Sequence, residues 1–300
     1  EAVLNVKAHM RIRTILLQGS SVKSLTFLGD MFDGVQCPCI LLQLVATGKP
    51  LSTVGMRIED RTRTYTIAME RTVVPENFSF RMTDEEYRVL EKIKNSIPVC
   101  YLADHADFAL GIVTGNNKKF LSAEKTEHSE MVLKGTDICK YHINPAKQYL
   151  RFEPEQFQQV APLEIYRAPE KLLYRFISNQ LVVAYDDRQM LSLNSCNIVI
   201  PKIEGMQIKY ILAILNSSVS QFVYQKEFHS IKVLRAHMEH IPIPRVGKAI
   251  QNEIIAMTEP LICGMGKEAA ETCQKRLDCR IMDLFRLSAE EQWIIRHALH

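Results

Sequence analysis

Prolines at 145, 154, 162, 169 and 201 punctuate the middle of this sequence and separate its short strand candidates. A proline removes a backbone donor, clashes with the preceding turn and pushes the residue before it toward extended conformations. Between these prolines lie apolar runs at 148–152, 181–185 and 197–200 that read as short strands. The expectation is a mixed, loop-rich domain. Ile241-Pro242-Ile243-Pro244 must be extended for the same reason, and it closes that domain. Just before it, residues 208–225 read as one inward-packing helix, because Ile208, Ile211, Leu212, Leu215, Val219, Phe222 and Val223 fall at helical spacing.

The flanks have different textures. Residues 1–18 read as a helix ending at a Gly-Ser break, followed by 22–28 and by Pro38–Ala46, an apolar run with the length and composition of a buried strand. A Gly-Lys-Pro turn at 48–50 and short strands near 54–58 and 64–68 complete this part. Thr83-Asp84-Glu85-Glu86 is a capping box that starts a linker helix. Residues 251–257 and 267–287 are helical by composition, and Ser288-Ala289-Glu290-Glu291 is a second capping box opening a last helix, whose Trp293 is expected to anchor it to the core. The fold class is mixed α/β (α+β), organised as residues 1–75, a hinge over 76–105, a central domain over 106–245 and a helical region over 246–300.

Composition excludes more than it selects. With 47% hydrophobic residues over 300 positions the chain can bury a sizeable core, and 37 basic against 34 acidic residues leave a formal +3 that names no partner. Residues 246–300 hold 7 basic and 8 acidic side chains, so no basic tail ends the chain. The eight cysteines contain no Cys-x-x-Cys, which fits structural thiols in a reducing cytoplasm; Cys37 and Cys39 could share a strand face as a strained thiol pair or half a metal site. Lys7, Arg11 and Arg13 rule residues 1–18 out as a signal peptide or a membrane span. A chain opening on Glu1 is expected to be part of something longer.

Five strings in the central domain occur in a specific order. Ala106-Asp107-Phe108-Ala109-Leu110-Gly111-Ile112-Val113-Thr114-Gly115-Asn116-Asn117-Lys118-Lys119-Phe120 precedes Leu133-Lys134-Gly135-Thr136-Asp137-Ile138 and Tyr141. Then come Pro169-Glu170-Lys171-Leu172 with 181–185 and Asp186, Leu212-Ala213-Ile214-Leu215-Asn216-Ser217, and the Ile-Pro-Ile-Pro string. This succession resembles the C-terminal specificity domain of TaqI-like adenine-specific DNA methyltransferases and of the fused type II restriction–modification enzymes that share it. Arg13-Thr14-Ile15-Leu16-Leu17, Leu28-Gly29-Asp30-Met31-Phe32-Asp33 and residues 37–44 resemble the end of the methyltransferase domain of the same family, and Arg286-Leu287-Ser288-Ala289-Glu290-Glu291 resembles its usual ending.

The resemblance implies a remnant of a methyltransferase sheet, a target-recognition domain with short strands, and C-terminal helices. It implies that double-stranded DNA is the partner, with an upstream methyltransferase domain of the same chain that holds S-adenosylmethionine and a flipped adenine. No cofactor site and no catalytic residue is expected here. Asn144-Pro145 continues into Ala146-Lys147, without the second proline or the aromatic of the family's catalytic loop. Gly264-Met265-Gly266-Lys267-Glu268-Ala269 has nucleotide-loop spacing but no convincing strand before it. No Ser-centred elbow or acid pair points to a hydrolase.

What remains is recognition, in which Lys and Arg contact phosphates and polar side chains read base edges. The candidates are Lys118 and Lys119 after the Gly115 turn, Lys140, Tyr141 and His142, and Lys171 with Arg175 on a helical face beginning near Glu170. Arg188, Ser192 and Asn194 lie in a polar connection suited to base edges, and His229, Lys232 and Arg235 follow the buried helix. Solvated surface charge is the competing reading for each lysine group. His237 and His240 are spaced for one helix face, but no third metal ligand stands nearby. The alternative function is an assembly domain that docks a separate methyltransferase or nuclease subunit through the C-terminal helices.

Overall fold

A computed structural model of the chain describes every residue except 1, 36, 76, 77, 79, 229 and 300, and not the side chains of Asn5 and Lys7. The chain divides into two compact units, residues 1–90 with 226–228 and residues 91–225 with 229–300.

The first unit begins with α1 (Ala2–Asn5), a 3-10 turn at Lys7–His9 and α2 (Met10–Gly19) in place of one continuous helix. The buried Arg13 guanidinium lies at the break, donating to the carbonyls of Val3 at 2.8 Å and Val6 at 2.9 Å. β1 (Ser20–Asp30), β2 (Pro38–Ala46), β3 (Arg57–Glu59) and β4 (Thr64–Thr66) form one sheet in the order β2-β1-β3-β4, with β1 antiparallel to β2 and parallel to β3. Leu25, Met56, Ile58, Ile67, Phe78 and Phe80 fill the core beneath it. The apolar run of β2 does form a strand, but not a buried one: it is the outer strand, and Leu41, Leu44 and Val45 are 59%, 41% and 50% exposed. Its composition suits burial on both faces, and the sheet described here supplies a neighbour on one edge only.

α3 (Asp84–Asn95) starts at the expected capping box, where Glu86 Oε2 accepts the Thr83 amide at 2.8 Å and Thr83 Oγ1 accepts the Glu86 amide at 3.2 Å. In the second unit, β5 (Val99–Cys100) precedes β6 (Ala106–Ala109), α4 (Asn117–Phe120), β7 (Leu121–Ser122), β8 (Glu130–Leu133), β9 (Tyr149–Leu150) and α5 (Leu163–Tyr166). β10 (Lys171–Arg175), β11 (Val183–Asp186), β12 (Leu191–Ser192) and β13 (Cys196–Pro201) follow. Two four-stranded sheets result, ordered β11-β10-β13-β6 and β12-β8-β9-β7, around a core that includes Leu133, Leu173, Leu191 and Ile198. The first is antiparallel throughout, and β12 runs parallel to β8.

Lys171–Arg175 is therefore a central strand and not a helical face. Residues four apart share a face in a strand as well as on a helix, so the spacing of the two cations could not separate the alternatives. The expected single helix over 208–225 is divided into α6 (Ile208–Asn216) and α7 (Ser218–Glu227). Asn216 turns its amide onto strand β11, accepting the Val183 amide at 3.0 Å and donating to the Val183 carbonyl at 2.8 Å. Ser218 then bonds Asp278 through its amide at 2.8 Å and its hydroxyl at 2.7 Å. α8 (Arg235–Glu239) leads to β14 (Ile243–Pro244), which pairs with β5.

Helices α9 (Lys248–Cys263), α10 (Lys267–Leu284) and α11 (Ala289–Ala298) end the chain. Ser288 caps α11 as its sequence indicates, with the Ser288 amide 2.6 Å from Glu291 Oε2 and the Glu291 amide 3.2 Å from Ser288 Oγ. Trp293 is a correction: it is 56% exposed and stacks on His297 with ring centroids 3.9 Å apart, so Ile295 rather than the tryptophan is the buried residue of this helix. No helix among the described residues is long and apolar enough to cross a membrane.

Candidate nucleic-acid interface

Two of the strings that stand in order along the sequence, those holding Gly111 and Gly135, meet on one turn, residues 192–196. Gly111 and Gly135 pack against it from two directions: a Cβ on Gly111 would meet the Leu193 carbonyl oxygen at 2.1 Å, and one on Gly135 would meet the Ser195 carbonyl oxygen at 2.5 Å. Only glycine permits both approaches. The Ile112 amide donates to Ser192 O at 2.7 Å, the Asn194 amide to Ile112 O at 3.1 Å, and the Gly135 amide to Ser195 Oγ at 3.0 Å. The turn is held by backbone bonds while the Asn194 side chain stays exposed.

A second exposed turn, residues 187–190, lies at the other end of the short strand β12. It wraps around the Asp186 carboxylate, whose Oδ1 accepts the Arg188 amide and whose Oδ2 accepts the Met190 amide, each at 2.9 Å. Lys171 approaches the same carboxylate at 2.5 Å, and neither side chain has any exposed surface. Burial pulls the Lys171 ammonium below its ordinary pKa, and Asp186 opposes that pull. Arg167 ties the turn from outside, donating to Gln189 O at 2.7 Å and pairing with Glu130 at 2.6 Å.

Twelve of the thirteen side chains singled out from the sequence separate into two groups. Lys118, Lys119, Arg188, Asn194, Lys232 and Arg235 are exposed. Asn116 caps the short α4 that carries the two lysines, accepting the Lys119 amide at 3.2 Å, and Lys119 Nζ lies 4.7 Å from the centre of the Phe120 ring. Lys232 is bridged to Ile177 beyond β10. Arg235 pairs with Glu239 at 2.6 Å and lies over the Phe108 ring at 5.2 Å, at the edge of a cleft of about 680 Å³ that Leu110, Gln159, Pro162 and Tyr174 also line.

The others serve the scaffold. Lys171 and Ser192 are fully buried and Tyr141 is 2% exposed, so none of the three faces solvent. Tyr141 adds itself to β11, donating its amide to Val183 O at 2.7 Å and accepting from the Tyr185 amide at 3.1 Å. Burial is the main reason its phenol pKa is raised. Lys140 donates to Asn216 O at 3.2 Å, and burial lowers its pKa. Arg175 donates to the carbonyls of Gly135 at 2.9 Å and Ile138 at 2.5 Å, and His142 is half-buried. Lys140, Lys171 and Arg175 each donate to a backbone carbonyl inside the domain, a use that charge alone in a sequence does not reveal. His229 lies outside the described residues.

Two further motifs are placed plainly. The ring nitrogens of His237 and His240 engage local backbone, with His237 Nδ1 accepting the Leu234 amide at 3.2 Å and His240 Nδ1 2.7 Å from Ala236 O. The nucleotide-like glycine string joins the end of α9 to the start of α10, without the preceding strand that aims such a loop at a phosphate. Sequence reasoning missed the roles of Arg167, Asp186 and Asn216. An aspartate opening a polar turn is a signal for the second, because carboxylates accept from turn amides.

Short sheets, clamped turns and helices at the end make a mixed α/β architecture that has counterparts among known proteins. Residues 130–243 match the TaqI-like C-terminal specificity domain. The fold of the chain is similar to that of the type IIL restriction-modification enzyme MmeI, solved in complex with DNA, at a TM-score of 0.58 and 10% identity over 99% of this chain and 48% of that one. The type IIG restriction endonuclease BpuSI also matches, with a TM-score of 0.44 and 10% identity over 99% of this chain and 45% of that one. The chain thus spans about half the length of these solved proteins. No curated protein matches the sequence.

Proposed function

We propose that this chain is the DNA-recognition part of an adenine-specific DNA methyltransferase or restriction–modification enzyme, binding duplex DNA and positioning a target adenine for an upstream catalytic domain. The observation that carries the reading is the specificity-domain match over 130–243, within which Arg188 and Asn194 stand exposed on turns whose backbones are fixed. Fixed turns bearing hydrogen-bonding side chains suit base-edge readout, and Lys118, Lys119, Lys232 and Arg235 supply phosphate contacts. In this reading S-adenosylmethionine belongs to the upstream domain, and the apolar outer strand β2 supports such a neighbour, since its exposed leucines and valine suit continuation of the sheet.

A mobility-shift titration of the chain with mixed-sequence duplex DNA at low and high salt tests this. Binding that weakens steeply with salt is expected. A folded chain that binds no duplex at any salt overturns the reading.

The assembly alternative draws on the near-neutral C-terminal helices and the exposed Trp293. Trp293→Ser separates the two: the DNA-recognition reading expects unchanged DNA affinity, and the assembly reading expects a weakened association with the partner subunit.

A further inference from the structure

Lys171 and Asp186 form an ion pair with no exposed surface on either side chain, at the base of a turn that projects into solvent. Such a pair is a poor stabiliser, because removing two charges from water offsets most of their attraction, and an apolar pair of similar volume often serves stability as well. Its contacts indicate a different use. Both oxygens of the carboxylate are engaged by the strand-to-strand connection or by Lys171: Oδ1 by the Arg188 amide at 2.9 Å, Oδ2 by the Met190 amide at 2.9 Å and by the ammonium at 2.5 Å. Lys171 also donates to Tyr166 O at 2.6 Å, which fixes the ammonium in turn.

The turn they hold has a demanding shape. Gln189 takes a left-handed backbone with φ of 56°, uncommon for a residue with a side chain, and its carbonyl is pinned by Arg167 at 2.7 Å. Asp187, Arg188 and Gln189 are exposed, and the Arg188 guanidinium has no ion-pair or hydrogen-bond partner among the described residues. A long cation on a backbone fastened at three points loses less freedom on binding than one on a loose loop. A guanidinium fork matches the paired O6 and N7 acceptors of guanine in the major groove.

We propose that Lys171 and Asp186 are positioning residues for a base-reading turn, residues 187–190, and that Arg188 is the side chain this turn presents to a guanine edge; the proposal rests on the DNA-recognition reading above. Arg188 specifies and the buried pair aims it. The cation that sequence spacing places at the phosphates instead acts from inside the protein.

Selection from a randomised duplex pool by the 300-residue chain tests this, with amide hydrogen exchange and thermal unfolding on the same proteins. The wild-type chain is expected to enrich a sequence with one position fixed as guanine. Arg188→Ala and Arg188→Lys should each cut the preference at that position by about tenfold or more, with Arg188→Lys keeping salt-dependent binding. The double variant Lys171→Met, Asp186→Asn leaves no unpaired buried charge, yet its amide oxygen serves only one of the two turn amides. It should unfold near the wild-type temperature, exchange the Arg188 or Met190 amide faster and lose the same preference. If the double variant does not fold, Arg167→Met loosens the turn from outside and should relax the same position.

No binding by the wild-type chain at any salt fails the DNA-recognition reading itself. Binding with no fixed guanine, or a guanine preference that survives Arg188→Lys, overturns the assignment of Arg188. A preference retained while the turn amides exchange freely overturns the positioning role of Lys171 and Asp186.

Discussion

Gly111 lies so close to the Leu193 carbonyl that a methyl group on it would stand 2.1 Å from that oxygen and 2.7 Å from the carbonyl oxygen of Cys196. Both obstacles are backbone, so the substitution cannot be absorbed by a side-chain rotation. Gly111→Ala is expected to destabilise the second unit by roughly 2–3 kcal/mol through overpacking. Gly19→Ala, at the last residue of α2 with nothing within 4 Å, is the control and should be nearly neutral. Chemical denaturation of the two variants measures the difference.

Lys118 and Lys119 are exposed on a turn that Asn116 caps, and they differ in that Lys119 also lies over Phe120. If each contacts one phosphate, Lys118→Ala and Lys119→Ala should each reduce the slope of log affinity against log salt by about 0.9 while leaving sequence preference unchanged. Titrations at four or more salt concentrations give the slopes. Unchanged slopes would make the pair solvated surface charge.

His237 is half-buried, accepts the Leu234 amide at Nδ1 and packs its ring against Tyr224 at 5.7 Å. Burial, with His240 nearby, lowers its pKa to about 4. An unfolded histidine titrates near 6.5, so at intermediate pH the unfolded chain takes up a proton that the folded chain refuses. This histidine therefore costs stability as pH falls from about 6.5 toward 4, and contributes no further change below that. His237→Gln should flatten the difference between thermal midpoints at pH 7 and pH 5 relative to the unsubstituted chain, and a histidine titration followed by NMR should find His237 neutral at pH 5.

Leu41, Leu44 and Val45 contribute exposed apolar surface on the outer strand of the first sheet. Leu41→Lys should change unfolding free energy by less than about 0.5 kcal/mol, the usual range for surface sites. It should also slow self-association, because a charge on an open edge opposes strand pairing. Denaturation and light scattering together check it; a large loss of stability would mean that this face is covered in the isolated chain.

Much of this protein is determined by local chemistry that its sequence displays. The two capping boxes form as read, because each needs only residues three apart, and short strands form in the central domain near 149–150, 183–186 and 196–201, where the sequence places them. The order of five strings carried the specificity-domain resemblance, and two of them, those holding Gly111 and Gly135, meet in space on the turn at 192–196. Burial is a different matter. Lys171 and Arg188 are both cations of one domain in the sequence, and tertiary packing alone decides that the first reaches a buried carboxylate while the second reaches solvent. The same packing leaves β2 and Trp293 exposed despite apolar character, and breaks a helix at Asn216 so that its amide can complete a strand. Spacing states which residues share a face; only the arrangement of neighbouring elements states what that face meets.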